Sequence, residues 1–123
     1  MKKKTLAFLA LALVFLFALS ACKADFVGNK IKIKNRYTLS FSVLNRTEKE
    51  TMNLKKGQKL NVTLTLEEGT VSLKIGRKDK PLIYKGTDLE SASFCVIAPD
   101  TGRYIISVSG KGAKGKAEFE VSK

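Results

Sequence analysis

The segment Leu60–Leu66, LNVTLTL, alternates without a fault: Leu60, Val62, Leu64 and Leu66 are apolar, and Asn61, Thr63 and Thr65 are polar. Successive side chains of a β-strand point to opposite faces, so this period gives one dry face and one wet one. The same period runs through YTLSFSV, where Tyr37, Leu39, Phe41 and Val43 share a face, and through VSLKI, with Val71, Leu73 and Ile75. Further strands are predicted at Glu48–Leu54, Pro81–Lys85, Ser93–Ala98, Arg103–Ser109 and Lys116–Val121. The two prolines, Pro81 and Pro99, fall at strand margins, where a missing N–H does least harm. Glu67-Glu68-Gly69 reads as a tight hairpin between two strands, with Gly69 supplying a positive φ. No stretch after residue 23 carries a helical period. Some eight short strands in about 100 residues predict an all-β fold, a single antiparallel β-sandwich with one core.

The chain begins differently. Met1-Lys2-Lys3-Lys4 is a basic head, and Thr5–Ala21 follows without a charge. Its strongly apolar part, Leu6–Leu19, is shorter than the roughly 20 apolar residues that a bilayer-spanning helix needs. A charged head, a short apolar core and small residues before a break are the parts of a secretory signal. Leu19-Ser20-Ala21-Cys22 resembles the lipobox of bacterial lipoproteins. That resemblance implies a diacylglyceryl group on the Cys22 thiol and cleavage between Ala21 and Cys22. It also implies an extracytoplasmic protein, lipid-anchored to the cell membrane or outer membrane. The expected organisation is therefore a signal peptide over 1–21, a lipidated cysteine and short tether over 22–29, and a sandwich over 30–123.

The whole chain has a net charge of +12. Without residues 1–21 it keeps 20 basic and 11 acidic side chains, a net +9. Such a balance favours polyanionic surroundings, and it also serves solubility alone. Outside the membrane, anionic lipid or cell-wall polymer are the candidate partners, and nucleic acid drops down the order. Cys95, in SFCVIA, reads as a small core hydrophobe.

The segment DTGRYIISVSGKGAKGKAEFEV places Tyr104, Ile106 and Val108 on one face and brings Ala117, Phe119 and Val121 back after Gly115. It resembles the closing hairpin of secreted bacterial jelly-roll domains, such as the pre-peptidase C-terminal domains. The likeness implies a jelly-roll-like sandwich and no particular activity.

Catalytic chemistry has few candidates. The chain has no histidine, which removes His-activated nucleophiles, His-liganded zinc and the usual near-neutral base. Gly110–Gly115, GKGAKG, matches a dinucleotide signature by letter, but a strand follows it instead of a helix, so it reads as a flexible basic hairpin loop. Glu48 with Glu50, and Glu118 with Glu120, are read as solvated outer faces rather than an acid–base pair. No metal or cofactor is expected. The chain has no tryptophan for a sugar platform, and Tyr37 and Tyr104 are expected in the core.

One pattern stands out. KIKIKNR puts Lys30, Lys32, Lys34 and Arg36 on one predicted strand face, with Ile31 and Ile33 on the other. Two readings stand: an edge strand guarded by lysines, or a basic stripe that binds a polyanion. The sequence thus points to a lipid-anchored extracytoplasmic binding or structural module and not an enzyme. The alternatives are a carbohydrate- or peptide-binding accessory domain and, behind it, a small envelope hydrolase.

Overall fold

The structure, a computed structural model, describes residues 24–122. The lipobox and the signal segment lie outside the described residues. Seven strands follow one another: β1 (Phe26–Ile33), β2 (Arg36–Leu44), β3 (Thr47–Leu54), β4 (Lys59–Gly76), β5 (Leu82–Leu89), β6 (Ala92–Ile97) and β7 (Gly102–Ser122). Every pairing is antiparallel, and no helix occurs among the described residues. The first four residues of β1 were expected in the tether. They pair with β2 instead, with Phe26 opposite Leu44.

Two strands are far longer than the rest: β4 has 18 residues and β7 has 21. They pair along most of their length, from Lys59 opposite Ser122 to Gly76 opposite Ile105. The first half of β4 and the second half of β7 lie in one layer, between β2 on one side and β6 on the other. The remaining halves lie in a second layer, between β3 and β5. The predicted hairpin at Glu67–Gly69 and the predicted loop at Gly110–Gly115 are therefore the two sides of one corner in a continuous ladder. Register shifts on either side of Glu68 turn the ladder there, as bulges do. Gly69 has φ +73, and a Cβ on it would lie 2.4 Å from the Gly112 carbonyl oxygen, so only glycine lets the strands cross this closely.

Folding the ladder over brings both apolar faces into one cluster of buried side chains. Leu60, Val62 and Leu64, Tyr37 and Leu39, and Leu73, Ile75, Tyr104 and Ile106 are all buried, as the alternation predicts. Each large apolar side chain buried in this way contributes about 1.5–3 kcal/mol. Two positions depart from the prediction. A bulge between Phe41 and Leu44 reverses the parity of β2, so Leu44 is buried and Val43 only half-buried. Cys95 is exposed, because Phe94, Val96 and Ala98 take the inward positions on either side of it.

Candidate functional site

Register decides the fate of the predicted basic stripe. Lys30 stands opposite Leu39 and Lys32 opposite Tyr37, and directly opposed residues share a face, so these lysines point toward the second layer. Lys30 Nζ lies 3.4 Å from the Glu48 carboxylate and donates to the Lys49 carbonyl at 2.8 Å. Lys32 Nζ lies 3.6 Å from Glu50. Arg36 is on the next strand, facing outward, 3.2 Å from Glu120. Lys34 sits in the β1–β2 turn with φ +47 and has no ion pair among the described residues. The four side chains therefore do not share a face, and the outer face of β1 carries Ile31 and Ile33, exposed at 51% and 64%. Inward charge on an edge strand discourages pairing with another chain.

The carboxylate pairs are likewise engaged. Glu48 and Glu50 face inward along β3 rather than outward, and Glu48 also accepts from Arg46. Glu118 lies 3.1 Å from Lys116. Beneath the β1–β3 contacts, Tyr37 is fully buried and stacked on Phe119 with ring centroids 5.5 Å apart. Its hydroxyl has no hydrogen-bond partner among the described residues. Burial first, and then the negative charges of Glu50 and Glu48, push its ionisation well above the ordinary tyrosine range. It stays a neutral phenol.

A different set of residues converges at the end of the sandwich opposite the corner. Four connections meet there: the β1–β2 turn and the segments 55–58, 77–81 and 98–101. They are stitched together. Gly57 N donates to the Ala98 carbonyl, and Ala98 N to the Gln58 carbonyl, both at 2.9 Å. Lys56 N donates to Thr101 Oγ1 at 2.9 Å. The Tyr104 hydroxyl reaches back to the Asp100 carbonyl at 2.6 Å, and Arg77 covers the Tyr104 ring while holding the Asp100 carboxylate at 3.3 Å.

Between the β1–β2 turn and the segments 55–58 and 98–101 lies a cleft of about 570 Å³. Asn35, Asn53, Lys55, Gln58, Thr101 and Arg103 line it: three amides, one hydroxyl and two cations, without a carboxylate. Elsewhere in the connections at this end, Lys34, Lys56, Lys78 and Lys80 add positive charge. None of these six cations has an ion pair among the described residues. The carboxylates of the same loops are Asp79 and Asp100, and Arg77 already holds the second.

The corner end has the opposite balance. Lys111 pairs with Asp88 at 3.1 Å, Lys114 with Glu67 at 3.4 Å, and Arg46 with Glu48, while Glu68 and Glu90 make no ion pair among the described residues. The chain enters here, where Asn45 N donates to the Asp25 carbonyl at 2.7 Å. A second depression, of about 450 Å³, opens on the outer face of the first layer over Gly28 and Gly115. Its cations, Lys114 and Lys116, are both neutralised by neighbouring glutamates. The distal cleft escapes a reading of the sequence because its cations are scattered from position 34 to position 103. Only the topology gathers them.

No protein-family model and no curated protein sequence matches this chain. Among solved structures, it is similar to the pre-peptidase C-terminal domain of a collagenase from Bacillus anthracis. The likeness covers 82% of this chain and 100% of that one, at 15% identity and a TM-score of 0.50. It is also similar to PliG of Aeromonas hydrophila, a periplasmic inhibitor of g-type lysozyme. That match covers 83% and 93% of the two chains, at 14% identity and a TM-score of 0.46. The first likeness supports the sandwich fold that the Gly102–Val121 pattern suggested.

Proposed function

We propose that the protein is a lipid-anchored, extracytoplasmic module of the bacterial cell envelope that binds a partner through its distal loops and carries no catalytic activity. The observation behind this reading is the polarity of the domain. The lipobox cysteine precedes Phe26 by four residues, about 14 Å of extended chain at most. A lipid on Cys22 would thus hold the corner end at the bilayer and present the unpaired cations on the far side. A diacylglyceryl group supplies two chains, which is enough for stable anchoring where one chain is marginal. The two carboxylate pairs, Glu48 with Glu50 and Glu118 with Glu120, are engaged in ion pairs.

The test is direct. Native protein should partition into detergent, and its mature N-terminus should be Cys22 carrying a lipid mass. Cys22→Ala should abolish both. An unmodified Cys22 still joined to Ala21 in the native protein removes the anchor from this account.

A further inference from the structure

We infer that the distal cleft binds an anionic glycan, a sugar polymer bearing carboxylate or phosphate groups, in the space lined by Asn35, Asn53, Lys55, Gln58, Thr101 and Arg103. The inference deepens the proposed function and rests on it for the direction in which the cleft faces.

Three observations carry it. The first is charge. Lys55 and Arg103 line the cleft without an ion pair among the described residues, whereas Arg36, Arg77, Lys114 and Lys116, which line other depressions, are all paired. Clustered cations of one sign repel each other, and an anionic ligand relieves that repulsion. A guanidinium also matches carboxylate and phosphate geometry in a way a point charge does not. The second is the amide content. Asn and Gln side chains both donate and accept, which is the complement of a sugar hydroxyl, and Asn35 and Asn53 make no side-chain hydrogen bond within the described residues. A simple polyanion needs only the cations. The third is rigidity. The loops are pinned to one another by backbone bonds and by Tyr104, so the cleft is formed before any ligand arrives, which lowers the entropic cost of binding. An anionic bilayer is the other polyanion within reach, but the tether holds the opposite end of the domain to it, well beyond the 8 Å or so over which salt lets surface charges act.

The experiment uses the full-length protein as isolated from its membrane, reconstituted into phosphatidylcholine nanodiscs, with polygalacturonate as the probe. Polygalacturonate should bind at low salt and release at high salt, and neutral dextran should not bind. The pair Lys55→Gln and Arg103→Gln should weaken binding roughly tenfold or more. The pair Lys49→Gln and Lys74→Gln removes two equally unpaired cations from the outer face of the second layer and should change affinity less than about twofold. Asn53→Ala should weaken polygalacturonate about threefold and leave inorganic polyphosphate unaffected. Equal losses from the two cation pairs would mean that net charge alone binds, and would overturn the site. Polyphosphate held as tightly as polygalacturonate overturns the glycan, and preferential capture of phosphatidylglycerol vesicles overturns it in favour of lipid. The intact mass of the same preparation reports Cys22 separately. Unlipidated protein that binds polygalacturonate supports the cleft and removes the tether, and lipidated protein that does not bind removes the cleft alone.

Discussion

Along one side of the sandwich, β1 faces β3 across the contacts of Lys30 and Lys32 with Glu48 and Glu50. Along the other, β5 faces β6 through Tyr84 and Phe94, whose ring centroids are 4.7 Å apart. Both sides pose the same problem, an open gap between the edge strands of two layers. The first is closed by charge and the second by aromatic area. Aromatic contact is indifferent to salt and contributes by the surface it removes from water. Half-buried ion pairs gain less, because desolvation offsets most of the Coulomb attraction, but they penalise any other strand that tries to enter. Both sides leave apolar side chains on their outer surfaces, Ile31 and Ile33 on β1 and Leu82 and Ile97 on β5 and β6, but only the first backs its edge with inward charge.

The difference can be broken at either side. Phe94→Ala should be the most damaging change, costing about 2–3 kcal/mol in denaturant unfolding, somewhat below the value for a fully buried ring. That loss should be the same at low and high salt. Glu48→Ala should cost about 1–2 kcal/mol at low ionic strength, because it removes the carboxylate that Lys30 and Arg46 share. Most of that cost should vanish in 1 M salt, and a loss that ignores salt would mean the seam is held by packing instead. The smallest effect sharpens the contrast. Tyr37→Phe removes a buried hydroxyl without a partner, so stability should be unchanged or higher by up to about 1 kcal/mol. A marked loss would show that the hydroxyl is part of the charged seam.

These two sides also mark how far the sequence could be read. The faces of β2, β4 and β7 were legible because one face of each is apolar and a core admits only that face. Tyr37, Leu64 and Ile106 went where alternation sent them. In KIKIK both faces are plausible, and parity alone does not say which one is inward. The glutamates of β3, far away in sequence, decide it. Gly69 announced a positive φ but not its use, since a hairpin and a corner both demand one, and only the continued pairing of β4 with β7 tells them apart. The one-residue bulge before Leu44 and the outward turn of Cys95 are local shifts of the same parity. The distal cleft was the least legible feature, because each of its cations sits in a loop whose neighbours are set by the chain as a whole.

The central place of β7 has a consequence for the order of events as the chain is made. β2, β3 and β4 all pair with β7, the last of the seven strands to be synthesised. Until it emerges, what can form are isolated partial pairings such as β1 with β2, and two-stranded units of this kind are marginal on their own. Closing the sandwich then joins segments as remote as Lys59 and Ser122, and topologies dominated by such remote contacts fold in milliseconds to seconds rather than microseconds. Until β7 exists neither layer is complete, so the two can close over one core only once the last of the seven strands has been made.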